Sequence, residues 1–485
     1  MNLSLNRFHI MLAGILLLII GLFIPNSIVG ILICVTLAAA AFYDERIGIY
    51  FLIITIPIRP FIILYNTGYK FIGDILILFL LLKIAYNNRK KITSLFRLSF
   101  LEISFLLFIA VGVVSAFLTG VSLPAIIMQV RAFLLFFLLF YIVKRMTISQ
   151  KDTYDFALVT FVTATILSIQ GIIEKVSVRT LLLPEIWENM ELAVTNKTRV
   201  YGLIGGPNEL ALYLAISFII SFYLLMNATG RFRILIYTGM TLILAVFFLT
   251  YSRGAVLGVA AFLIMYLLIN RKLANFKSLM VILISSAVLF LGVVTTTNYV
   301  EKYLEQQSIE DAKNPDKNKE KTPEKGLNRF TGAFSDENMA LSNEDGRVYY
   351  VKKAIEVFKD RPINGYGFGT FGGAATQTYS SPIYKQYKIA WNFYSDNQYI
   401  QILAETGLAG TIFILLSVLG MGKMTWSLRK GYIFSALLIF FFVTAIVSGV
   451  VYNILENDVF TMYYFILLGF AHHFLAGKKG KDSTL

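Results

Sequence analysis

The chain has 485 residues, 57% hydrophobic and only 15% charged, with a net charge of +14 and a mean hydropathy of +0.70. Those values exclude an ordinary soluble domain. Apolar runs long enough to cross a bilayer recur along most of the sequence. The positive excess would suit nucleic acid, but its distribution argues otherwise. With the N-terminus inside, 20 basic residues, Arg7, Arg46, Arg89, Lys90, Lys91, Arg97, Lys144 and Arg145 among them, fall on inner segments with six acidic ones, and the remaining 23 basic and 23 acidic residues balance. The excess is therefore a positive-inside signal that orients a multi-pass protein with both termini cytoplasmic.

The runs predict an all-α polytopic membrane protein with about 12–14 transmembrane helices and one large outer loop carrying short helices. They lie near 8–24, 28–43, 48–65, 71–86, 101–119, 123–143, 154–174, 207–226, 234–250, 255–270, 278–297, 398–422, 432–452 and 459–475. The first follows Arg7 and ends in Pro25-Asn26-Ser27 without a small-residue cleavage pattern, so it reads as a retained helix. Residues 1–297 thus form a first transmembrane block with an outer loop near 175–206. Residues 298–396 form the large extracytoplasmic loop, 397–476 the last helices, and 477–485 a cytoplasmic tail.

Within the large loop, 301–326 is rich in lysine and glutamate without apolar periodicity, the composition of a mobile, solvated segment. Order is expected to resume at 343–361. There Val348, Val351, Ile355 and Phe358 recur at helical spacing, with Asn343 or Asp345 as N-cap and Pro362 as stop. Cys34, the single cysteine, lies in the second run, so neither a disulfide nor a thiolate site is expected. His9, His472 and His473 lie toward inner helix ends, which leaves no histidine for an outer metal site.

Two arginines interrupt apolar runs: Arg59 in IPIRPF and Arg131 in MQVRAF. A charge at that depth costs at least ~2.5 kcal/mol and needs a partner, a water-filled cavity or a route to the interface. Arg199 precedes the turn and helix start GLIGGPNEL, which contains Asn208; Arg253 sits in the tight turn YSRG; Arg347 opens the expected loop helix. All five converge on one membrane depth, and guanidiniums without matched carboxylates suit phosphate oxygens. GYGFGTFGG, with Gly365, Gly367 and Gly369, reads either as a plain turn or as backbone bending closely around a ligand. Asp396 and Asn397 stand at the start of the run 398–422. A carboxylate there is either a helix cap or a general base for an incoming hydroxyl. Glu405, further in, is expected to bond backbone or arginines.

The ordered set Arg199-x-x-Gly202 with Pro207-Asn208, Ser252-Arg253-Gly254, Gly346-Arg347, Asp360 to Phe371, and DN-x-Y-x-x-x-L-x-E-x-G-x-x-G resembles the O-antigen ligase and Wzy-type polymerase superfamily. The resemblance spans roughly 195–415. It implies a GT-C-type fold and an inverting, metal-independent glycosyltransferase without cofactor. Such an enzyme moves a glycan from an undecaprenyl diphosphate carrier to an acceptor hydroxyl on the outer face of the bacterial plasma membrane. Arg199, Arg253 and Arg347 match the diphosphate-holding arginines, and Arg131 the supporting one.

Ligases that act on lipid A carry histidine before the asparagine, where this chain has Asp396. The expectation is therefore chain polymerisation for a capsule, exopolysaccharide or teichuronic-acid-like polymer, with catalytic Asp396, Arg253 and Arg347. Arg199, Arg131, Arg59, Asn208, Gly365, Gly367, Gly369, Asn397 and Glu405 would bind substrate. The partners are the lipid-linked donor and acceptor and the membrane, with a flippase and a chain-length regulator alongside, and no nucleic acid. A ligase and a lipid-linked oligosaccharide flippase are the alternatives.

Overall fold

The computed structural model describes residues 5–190, 192, 194–270, 276–311, 347–391, 393–430, 432 and 434–482. Among them every regular element is a helix. Each apolar run read from the sequence is one: α1 (Leu5–Leu22), α2 (Ser27–Tyr43), α3 (Glu45–Tyr65), α4 (Ile72–Asn87), α5 (Phe100–Thr119), α6 (Leu123–Val143) and α7 (Gln150–Val176). Two short helices, α8 (Glu185–Glu188) and α9 (Val194–Lys197), then lead into α10 (Pro207–Asn227), α11 (Gly230–Leu249), α12 (Arg253–Asn270) and α13 (Phe276–Asp311). After the large loop, with α14 (Arg347–Asp360) and α15 (Tyr384–Tyr387), come α16 (Gln398–Ser427), α17 (Ser435–Ser448) and α18 (Asp458–Asp482). Among the described residues, nine helices are long and apolar enough to cross a membrane, and three shorter apolar ones accompany them.

Aromatic stacking joins the middle of the bundle. Phe105 of α5 stacks on Phe137 of α6 with centroids 3.9 Å apart, and Phe465 of α18 meets Phe137 edge-on at 5.1 Å. Offset and edge-on pairs of this kind add roughly 0.5–1.5 kcal/mol each beyond the area they bury. By contrast, α12 and α13 leave mostly apolar faces outward, as lipid-facing helices do.

Two sequence expectations about the large loop are revised or bounded. Residues 301–311, read as a solvated mobile stretch, continue α13. Helical hydrogen bonding carries on past the apolar span because lysine, glutamate and glutamine are good helix formers. Residues 312–326 lie outside the described residues, as do the proposed caps Asn343 and Asp345. The expected amphipathic helix is α14, which ends at Asp360, two residues before Pro362.

The glycine-rich segment after α14 threads between α5, α6 and α16. Phe368 inserts against Phe108 and Phe133 at 5.4 and 5.3 Å, and its N–H donates to the Gly112 carbonyl at 3.0 Å. At Gly367, with φ +97°, a Cβ would fall 1.9 Å from the backbone nitrogen of Ala116, so only glycine fits. On the other side α16 breaks at Gly407, with φ +58° and ψ −159°. The freed N–H groups of Leu408 and Ala409 donate to the carbonyls of Pro362 and Ile363, both at 2.8 Å. GYGFGTF is thus a plug held by two helices.

Candidate active site

The site is built where α10, α12 and the α17–α18 connection meet. A cavity of about 370 Å³ is lined by Arg199, Asn208, Tyr251, Ser252, Arg253 and Tyr452, with Leu212, Leu257 and Val451 among its apolar neighbours. Arg199 is held rigidly for its length. Its Nε donates to the Thr250 carbonyl at 2.7 Å and its Nη2 to Asn208 Oδ1 at 2.7 Å. Glu174 at the end of α7 anchors the turn segment that carries it, accepting from the N–H groups of Tyr201 and Gly202 at 3.1 and 2.7 Å. Arg179 donates to the same carboxylate at 2.9 Å.

The turn before α12 aims the second arginine. Tyr251 takes a left-handed conformation, φ +49°, a strained state for a bulky residue that costs roughly 1–2 kcal/mol. Ser252 Oγ donates to Asn208 Oδ1 at 3.0 Å and accepts from the Ala255 N–H. Asn208 therefore ties the Arg199 segment to the Ser252 turn. Arg253 occupies the first position of α12, exposed, and among the described residues it makes no ion pair. The turn thus presents a guanidinium to the cavity beside the positive end of a helix dipole. Arg199 and Arg253 thus both line the cavity, and planar guanidiniums are the side chains best shaped to meet an anion.

Arg59 and Arg131 stand differently from the sequence expectation of unmatched charges. Arg131 grips Asp74 of α4 with two hydrogen bonds, 2.6 and 2.7 Å, and Arg59 pairs with Asp458 at the start of α18 at 2.8 Å. Both carboxylates come from helix starts remote in sequence, and neither arginine lines the cavity. Arg347 opens α14, and its side chain lies outside the described residues.

Asn397 is the N-cap of α16; its Oδ1 accepts from the N–H groups of Tyr399 and Ile400 at 3.0 and 3.2 Å. Capping thus falls to Asn397. Asp396, half-buried, adopts φ +47°, a conformation aspartate tolerates better than most residues. It is not among the cavity's lining residues. Nearby Tyr394 lies within electrostatic range of Glu456, Asp396 and Glu209, and burial, reinforced by those charges, pushes its phenol well above the ordinary range.

Glu405 is fully enclosed in the plug. Its Oε1 accepts from the N–H groups of Gly369, Thr370 and Phe371 at 2.9, 3.0 and 3.1 Å. The backbone donors of this loop therefore serve a protein carboxylate. Gly365 and Gly367 press on α16, where Gly367 N–H donates to the Glu405 carbonyl at 2.6 Å.

Sequence reasoning passed over Glu456, Glu209 and Tyr452. Glu456, between α17 and α18, accepts from Gln129 Nε2 at 2.5 Å, from Gln401 Nε2, and from the Ala374 N–H at 2.8 Å. Withdrawal from water raises its carboxyl to about 7, against the opposing pull of these donors. Glu209 accepts from the Tyr452 hydroxyl. No local pattern marks any of the three, since each acquires its meaning from a partner on a distant segment.

The fold and the cavity together define a multi-pass α-helical membrane protein with an arginine-walled site at one end of the bundle. Residues 238–415 match the family model described as O-antigen ligase. That match supports the O-antigen ligase and Wzy-type superfamily and indicates membrane glycan transfer of that kind, on lipid-linked substrates. It takes in Arg253, Arg347, the glycine-rich plug, Asp396, Asn397 and Glu405; Arg199 and Asn208 lie before it. No curated protein matches the chain.

Proposed function

We propose that this chain is a polysaccharide polymerase that joins undecaprenyl-diphosphate-linked repeat units into a cell-surface polymer on the outer face of the plasma membrane. The observation that carries this reading is that Arg199 and Arg253 line one cavity. Transfer with inversion requires the acceptor oxygen to attack the anomeric carbon as the bond from that carbon to the phosphate oxygen breaks. The departing diphosphate gathers negative charge, and guanidiniums fixed in advance stabilise it more than they stabilise the intact donor. Arg253, without an ion pair among the described residues, is assigned the larger share, and Arg347 is proposed to join it from α14. The chemistry needs no metal in this reading, because the two arginines supply the positive charge. Asp396, which the sequence expectation made the base, does not line this cavity.

The family description favours a second reading, transfer of a finished glycan to another acceptor. The size profile of lipid-linked glycans in cells lacking the protein separates the two. Single repeats accumulating on the outer leaflet support the polymerase. Full-length chains retained on lipid mean a ligase, and repeats trapped on the inner leaflet would overturn both in favour of a flippase.

A further inference from the structure

The cavity has a lining residue that the arginines do not explain. Tyr452, from the segment joining α17 to α18, lines it together with Arg199 and Arg253. Its hydroxyl donates to Glu209 Oε1 across 243 residues of sequence and accepts from Asn457 Nδ2 at 3.4 Å. Glu209 stands in the first turn of α10, directly after cavity-lining Asn208. Among the described residues it forms no ion pair. The carboxylates Asp74, Asp458, Glu102, Asp152 and Glu174 are each matched by a cation.

A first-turn glutamate can simply favour its own helix dipole, and such a role needs only its own helix. Here a tyrosine is brought from a remote connection to bind it, and that tyrosine faces the cavity. A tyrosine hydrogen-bonded to a carboxylate can accept a proton on one side while releasing its own on the other.

Resting on the transfer chemistry above, we propose that Tyr452 and Glu209 form its proton relay. As the acceptor oxygen bonds to the anomeric carbon, its proton passes to Tyr452 Oη, and Tyr452's own proton passes to Glu209. The electron pair of the broken bond leaves with the diphosphate on the arginines, and Glu209 then returns its proton to water. Tyr452 touches the reacting hydroxyl; Glu209 acts through it. The charged and titratable groups around the pair are Arg199, Arg253 and Tyr251 lining the same cavity, Tyr394 from the loop before α16, and Asp396 and Glu456 beyond Tyr394.

The test uses full-length protein in liposomes, with lipid-linked repeats extracted from cells that lack it. Glu209→Gln keeps an acceptor oxygen for Tyr452 but cannot take a proton. It should lower kcat about 100-fold, leave KM for the repeats within about twofold, and abolish the acidic limb of the kcat–pH profile. Glu209→Asp should restore part of that limb, and Tyr452→Phe should mimic Glu209→Gln at an unchanged thermal midpoint. Glu209→Gln with near wild-type kcat would overturn the relay, as would an acidic limb lost only in Asp396→Asn. If wild-type protein itself fails to lengthen the repeats, the transfer reading falls first. If wild type and Glu209→Gln lengthen them equally, the relay alone falls.

Discussion

The two ends of the bundle treat positive charge in opposite ways. At the end where α1 begins, basic side chains meet acids. Arg7 Nε lies 2.6 Å from Asp44, Arg46 Nε 2.8 Å from Asp152, and Lys144 bonds Glu102 while Arg145 stands 3.7 Å from the same carboxylate. Glu102 and Asp152 also close capping boxes with Ser99 and Ser149, so each acid serves both a helix start and a cation. At the cavity end Arg199 is tied to the Thr250 carbonyl and to Asn208, and Arg253 has no acid matched to it among the described residues. A compensated charge holds helices together; one without a matched acid, as at Arg253, is proposed to meet an anion. The difference teaches where to look for chemistry in a chain with arginines at many depths. Arg59 and Arg131, though at the cavity end, belong with the compensated class.

Breaking a pair at the basic end should give a large loss of stability. Lys144→Ala leaves the enclosed carboxylate of Glu102 only Arg145, 3.7 Å away, and the Ser99 cap, and should cost up to about 3–5 kcal/mol, read from denaturant unfolding in detergent. Activity per folded molecule should survive. Next comes Arg253→Ala, which should reduce polymer formation about 100- to 1,000-fold in the liposome assay while the unfolding midpoint stays put. Glu405→Ala orphans the three N–H groups of the plug, each worth about 1–3 kcal/mol when buried without a partner. It should therefore loosen residues 365–373 to protease before the bundle itself melts.

Glu456 sharpens the comparison through pH. Its folded carboxyl titrates at about 7, above its ordinary value of 4.5. The folded state therefore prefers it protonated. Its contribution is fully present below about pH 4.5 and is lost as pH rises toward about 7. Amide exchange at Ala374 and Ala375, corrected for intrinsic rates, should accelerate roughly tenfold over that window, and Glu456→Gln should flatten the response. The smallest effect is expected for the pair Lys353 and Glu356 on α14, 2.8 Å apart with Glu356 half in solvent. Lys353→Ala should change stability by about 0.5 kcal/mol or less.

Much of this organisation is legible in the sequence. The apolar runs place the helices because a bilayer leaves little choice of structure for them. Arg199, Asn208 and Arg253 meet as their motif order suggests, since the turns that carry them are short. The pairings Arg131 with Asp74 and Arg59 with Asp458 are not legible, because each joins helices separated by long stretches of chain. GYGFGTF looks like a ligand loop, yet its donors turn inward to Glu405; composition alone does not reveal which partner a backbone N–H finds. Glu209 reads as an ordinary helix-start acid until Tyr452 is seen beside it.

The most direct measurement pairs two variants, Arg253→Ala and Lys144→Ala, and records unfolding midpoint and polymer synthesis for both in the same liposomes. A crossed pattern is predicted: Arg253→Ala stable but inactive, Lys144→Ala unstable but active per folded molecule. Equal loss of stability and activity in both, or normal polymer from Arg253→Ala, would contradict the distinction between compensated and anion-seeking charge.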